Sequence, residues 1–238
     1  MISKKEKEEL KASAASITSG TTAVSTAENS PFIAGKSLFI NTRGIPLLRL
    51  PLPPSELEID VSSADGSLAF RSIREKRCSG SCVLSDASQN NLISTTYFWG
   101  PSRDPVLQLL GPTTDPNANT IKTISKWTSC SHKFVMPDGR VFEWAYKRER
   151  QAGGKKMKVL MLYRRDDSIE GGKSVARLVR NEDTRTPGSS KSSAGNGGEL
   201  VLSENAAEVM DEAIIVATCI LMLKKEIDRM RTVQAMML

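Results

Sequence analysis

Apolar and polar positions alternate in short runs over most of this chain, and only near its end do they merge into one long apolar stretch. The candidate strands are 37–41, 46–50, 57–61, 67–73, 82–85, 92–99, 106–110, 120–127, 133–136, 140–148, 158–164, 174–179 and 199–202. Turn-forming residues fill nearly every gap: Gly44, Pro53-Pro54, Asp65-Gly66, Gly100-Pro101, Gly111-Pro112, Asp115-Pro116 and Pro137-Asp138-Gly139. Many short strands at this spacing predict an all-β sandwich or barrel rather than alternating strand–helix units.

The strongest local unit is HKFVMPDGRVFEWAYKRER. Asp138-Gly139 supplies the positive-φ chemistry of a tight hairpin turn. On the second strand Phe142, Trp144 and Tyr146 alternate with Val141, Glu143, Ala145 and Lys147, so the aromatic side chains share one face.

The long apolar stretch, Ala213 to Leu223 (AIIVATCILML), has Thr218 as its single polar member. Asn205 with Glu208 three residues later reads as a capping box, predicting a helix from about Ala206 to Arg231. Its first part is apolar all round and therefore buried. Beyond it Leu223, Ile227 and Met230 keep one apolar stripe among Lys224, Lys225, Glu226, Asp228, Arg229 and Arg231. As a helix the run would span only about 16 Å, against roughly 30 Å of membrane hydrocarbon, so no transmembrane segment is expected.

Residues 1–30 lack sustained periodicity and read as a disordered leader whose eight charges cancel, Lys4, Lys5, Lys7 and Lys11 against Glu6, Glu8, Glu9 and Glu28. Residues 31–238 then form a single domain with a flexible, low-complexity loop at 183–198. With 39% hydrophobic residues the 238-residue chain is below the usual globular share, as expected when polar segments dilute a core. Its first residues, MISKKEKEELK, hold no apolar core of a secretory signal. Four cysteines are too few for a disulfide scaffold of this size, and together these features favour an intracellular, cytoplasmic setting, including one peripheral at membranes or nuclear.

Candidate catalytic and metal chemistry is thin. Cys78 and Cys82 with Cys130 and His132 make a conceivable zinc set, but neither half has finger spacing. His132 is the only histidine, no G-x-S-x-G motif is present, and the pairs Asp166-Asp167 and Glu182-Asp183 sit in turn-like polar context. Gly172-Lys173-Ser174 has the tail of a phosphate-binding loop, yet Asp167 stands where the first glycine is required. The chain therefore reads as a non-enzyme with neither cofactor nor metal. Thr186-Pro187 is a candidate for proline-directed phosphorylation.

Charge adds the best functional lead. The whole chain carries +6, while the stretch from Arg140 to Arg165 holds nine basic residues and two acidic ones, 9 − 2 = +7. If strands 140–148 and 158–164 pair across Gly153-Gly154, those charges gather at one hairpin end. Lys147, Arg148, Arg150, Lys155, Lys156 and Lys158 are then candidates for holding an anionic ligand: phosphoinositide headgroups, an anionic membrane surface or nucleic acid. The competing reading is a solvated edge whose charges discourage strand aggregation. A protein-interaction or structural module with no small ligand stays open beside it.

The segments NEDTRTPGSSKSSAGNGGELVLSE, DEAIIVATCILMLKKEIDR and DGRVFEWAYKRE resemble a group of fungal proteins. That group in turn resembles the tubby C-terminal-like superfamily, which includes phospholipid scramblases and plant LURP-one-related proteins. The resemblance covers roughly 36–232 and is strongest after Phe134. It implies a mainly β fold: a closed antiparallel barrel of about twelve strands around a central hydrophobic C-terminal α-helix. It also implies phosphoinositide binding by lysines and arginines on the barrel wall.

Overall fold

The computed structural model describes residues 32–46, 56–77, 79–98, 103–111, 118–124, 129–150, 156–165 and 172–236. Among them twelve antiparallel strands close into one barrel. In chain order they are β1 (Ala34–Asn41), β2 (Glu58–Ser63), β3 (Leu68–Ile73), β4 (Cys82–Asp86), β5 (Asn91–Thr96) and β6 (Val106–Leu109). There follow β7 (Thr120–Ile124), β8 (His132–Val135), β9 (Val141–Arg150), β10 (Lys156–Arg165), β11 (Lys173–Val179) and β12 (Gly198–Ser203). Each strand pairs with its sequence neighbours, and β1 closes the ring by pairing with both β2 and β12. Closure leaves no unpaired sheet edge, so a terminal strand needs no other protection.

Every candidate strand except 46–50 finds its counterpart. Pro46 lies outside any strand, and 47–50 lie outside the described residues. The strand expected to run to residue 99 stops at Thr96, because Tyr97 turns inward. Its backbone N–H donates to Ser81 Oγ and its hydroxyl to the buried Asp228 carboxylate. The turn between β8 and β9 is built as its residues predict. Gly139 has φ 84°, Met136 N–H donates to Arg140 O at 2.9 Å, and Asp138 Oδ1 accepts from Arg140 N–H at 3.0 Å.

Two helices follow β12: α1 (Ala206–Val209) and α2 (Glu212–Met236). The continuous helix expected from Ala206 is thus interrupted. Asn205 makes no side-chain cap bond, and Met210 is extended at φ −155°, ψ 143°. The working cap is Asp211, whose Oδ1 accepts from Ala213 N–H at 2.8 Å and whose carbonyl accepts from Ile215 N–H. At the other end α2 outruns Arg231 to reach Met236, with Gln234 Nε2 donating to Pro46 O at 3.0 Å.

From Ala213 to Lys224 every residue of α2 is buried, which requires walls on all sides. The walls are the inward side chains of the strands, among them Leu38, Val61, Leu84, Ile121, Phe142 and Trp144, in one apolar cluster with the helix. Trp144 Nε1 donates to Thr218 Oγ1 at 3.0 Å, and that hydroxyl donates back to Ile214 O at 2.9 Å. The one polar residue of the apolar run is thereby satisfied where it would otherwise cost free energy. Among the described residues no helix is long and apolar enough to cross a membrane.

The meander gives the barrel two ends. At the lower one α2 begins, tied by Lys36 Nζ to Glu212 at 2.8 Å, while Arg140 Nη1 donates to Val209 O. At the upper one the charged half of α2 emerges, beside the end of the β9–β10 hairpin and the connection between β11 and β12.

Candidate functional site: a basic cleft at the upper end of the barrel

The β9–β10 ladder is ten residues long and sets each basic side chain by register. Tyr146 faces Leu160, Arg148 faces Lys158, and Arg150 faces Lys156 across the pair. Since residues two apart share a face, Arg148 and Lys158 lie on the face of Phe142 and Trp144, but beyond the core, and both are exposed. Lys147 is exposed on the opposite face. Lys155 lies outside the described residues.

The nine-residue basic cluster does not gather at one end. Arg140, Arg164 and Arg165 sit at the lower end, because the strands run the full height of the barrel. Arg165 Nε is engaged there by Glu143 at 2.9 Å, and Arg140 Nε by Asp138 at 2.6 Å. Lys147, Arg148 and Lys158, with Arg150 and Lys156 by backbone register, belong to the upper end. Like charges directly opposite one another repel. The Arg148–Lys158 pair is eased by Lys158 Nζ lying 3.8 Å from the centre of the Tyr146 ring, a cation–π contact.

Below this rim a cleft of about 740 Å³ opens between the hairpin, the β11–β12 connection and the emerging face of α2. Its cations are Lys158, Arg180, Arg185, Lys191 and Arg229, and its acids Glu182, Asp183 and Glu226, so 5 − 3 = +2. Apolar lining comes from Met157, Met230 and Val233.

The cleft rests on a buried ion pair that pattern reading missed. Arg180 grips Glu226 with both nitrogens, Nη1 to Oε2 at 2.8 Å and Nη2 to Oε1 at 3.0 Å. Their side chains are only 13% and 10% exposed. Nη2 also donates to the Tyr146 hydroxyl at 3.2 Å, and Gly195 N–H donates to Glu226 Oε2 at 2.9 Å. Burial pushes the Glu226 carboxyl up to about 7, opposed by the Gly195 N–H and by Arg229. Gly195 is there for a steric reason. At φ 70° a Cβ would lie 2.6 Å from Leu223 O and 2.4 Å from Ile227 Cγ1, so only glycine lets the loop approach α2 this closely. The signal in sequence was faint: one acid in the charged part of α2 and a glycine in a polar tract.

That polar tract is held by its own side chains and by backbone pairing to the segment that follows β1. Asn181 Oδ1 accepts from Thr184 N–H at 2.7 Å, Ala194 pairs with Ile45, and Gly197 N–H donates to Thr42 O at 2.7 Å. Thr186 is buried, its hydroxyl donating to Ile40 O at 3.1 Å, so a kinase could reach it only after this segment opened. Glu182 and Asp183 are exposed on the cleft rim, while Asp166 and Asp167 lie outside the described residues.

Of the conceivable zinc set, Cys130 is exposed at the cleft and Cys82 starts β4, while Cys78 lies outside the described residues. Among the described residues no three His, Cys, Asp or Glu side chains converge as metal ligands. His132 is 4% exposed on β8, opposite Trp144, and its Nδ1 has no hydrogen-bond partner among the described residues. Burial pushes its pKa down to about 3, helped by Lys225 and Arg229.

No family model matches the chain, and no curated protein does. Among solved structures, the X-ray structure of a protein from Arabidopsis thaliana is similar at 12% identity and a TM-score of 0.44. The match covers 82% of this chain and 94% of that one.

Proposed function

We propose that the protein is a non-enzymatic, intracellular binding or adaptor module whose upper end holds a phosphate-bearing anionic ligand, a phosphoinositide headgroup before nucleic acid. One observation supports the reading above others: Arg148 and Lys158 are paired across β9–β10 on the face that continues into the cleft, where Arg185, Lys191 and Arg229 add three more cations. A concave site with convergent cations suits a phosphate, which is recognised by charge and by N–H donors. The resemblance of the sequence to the tubby C-terminal-like superfamily accords with this reading.

The test is flotation of the full chain with liposomes that contain or lack phosphoinositides. Binding is expected to need the phosphoinositide, to fall as salt is raised, and to drop at least about tenfold when Lys147, Arg148 and Lys158 are changed to Glu. Undiminished flotation of that variant overturns the proposal. A second reading, a protein-interaction module without a small ligand, is favoured by exposed Val106 and Ile124 on the outer wall of β6–β7, with exposed Phe98 just beyond β5. A stoichiometric partner recovered with wild type and lost with Ile124→Asp, but indifferent to the hairpin charges, would support it.

A further inference from the structure

We infer that the cleft takes an anionic amphiphile whole, its charged head on the basic side and its alkyl chain against α2, rather than a headgroup alone. This rests on the anionic reading of the same cleft and adds what the rest of the ligand must be.

The lining combines cations from three elements, Arg229 of α2 among them, with an apolar stretch of α2. Lys158 comes from β10, and Arg185 and Lys191 from the β11–β12 connection. To these α2 adds Met230 and Val233, three residues apart and so neighbours on one helix face. Val233 is 43% exposed and Met236, three residues further along that face, is 80% exposed. A helix that has just left a fully apolar core thus continues an apolar stripe out through the cleft into water. Exposed apolar side chains are common singly, but here they adjoin a cavity and line up with its interior.

A hydrophilic phosphate needs none of this. A purely polar ligand would leave Met230 and Val233 wetted beside it, whereas an alkyl chain removes them and itself from water. The 740 Å³ volume lies in the range of sites that enclose small organic molecules. In the floor Arg180 and Glu226 satisfy each other, and Lys158 sits over the Tyr146 ring. The head is therefore placed near Lys158 and Lys191, and the chain runs along α2 toward Met236.

The chemistry names a class, an alkyl or acyl chain bearing phosphate or carboxylate, supplied by a bilayer or free in solution. Three probes separate its parts: octyl phosphate, inorganic phosphate and octanol, each titrated calorimetrically into the full chain below any micelle concentration. Octyl phosphate is expected to bind at least tenfold more tightly than either of the others, since burying about two methylenes suffices for that factor. Val233→Ser, at a position already half in water, is expected to weaken octyl phosphate severalfold while leaving inorganic phosphate unchanged. Lys158→Glu with Lys191→Glu is expected to weaken both. Inorganic phosphate binding as tightly as octyl phosphate would overturn this inference while leaving the anionic site standing. Octanol binding as tightly as octyl phosphate, with the Lys158 and Lys191 changes silent, would overturn both. Vesicles of phosphatidic acid against octyl phosphate then tell a bilayer source from a soluble one.

Discussion

At the scale of single residues, the sharpest contrast is between charges that are visible in sequence and charges that matter to the core. Lys147, Arg148 and Lys158 of the hairpin are exposed, and each contributes little to stability. Arg180 and Glu226 are the reverse. Removing one partner leaves the other buried and uncompensated, so Glu226→Ala is expected to destabilise by roughly 3–5 kcal/mol in denaturant unfolding, and Glu226→Gln by clearly less. His132 gives a pH signature. Its folded pKa of about 3 lies below the ordinary value near 6.5, so folding favours the neutral ring. That contribution is complete above pH 6.5 and is lost as pH falls toward 3. Between pH 6.5 and 4.5 the loss amounts to roughly 2 kcal/mol. His132→Gln should therefore flatten the acid limb of stability against pH, measured by urea unfolding. An unchanged limb would mean that His132 is not enclosed with Lys225 and Arg229 as described.

At the scale of elements, local pattern carried the strands and the helix type, and failed where tertiary contacts decide. The Asp138-Gly139 turn and the alternation of Phe142, Trp144 and Tyr146 are properties of adjacent residues, so the hairpin was readable. The helix start was not. Asn205 and Glu208 form a plausible cap on paper, yet Met210 breaks the helix and Asp211 caps it instead. Nor was Arg180, whose partner lies 46 positions away. The apolar run of α2 makes its own prediction. Ile215 is fully buried among strand side chains, so Ile215→Asp places an unpaired charge inside the barrel. A cost of several kcal/mol against a total of about 5–15 should leave the chain without a cooperative unfolding transition by circular dichroism. A normal transition would contradict the enclosed helix.

At the scale of the whole molecule, closure of the meander decides what the sequence's charge clusters mean. Counted along the chain, Arg140 to Arg165 is one basic block; folded, its ends lie at opposite ends of the barrel and only its middle meets the cleft. The cleft itself is assembled from β9, β10, the β11–β12 connection and α2, segments that no window of sequence joins. Fold was legible because a twelve-strand alternation and one apolar run constrain each other. The site was legible only in part, because Lys158 and Arg148 announce themselves while Arg180, Glu226 and Val233 acquire their roles from packing. The most direct measurement is an amide NMR titration of the full chain with a soluble inositol phosphate. The account predicts shifts confined to the upper end, at Arg148, Lys158, Arg180 and Gly195, with Arg140, Arg164 and Arg165 unmoved. Shifts centred on the lower end, or none at all at millimolar ligand, would contradict it.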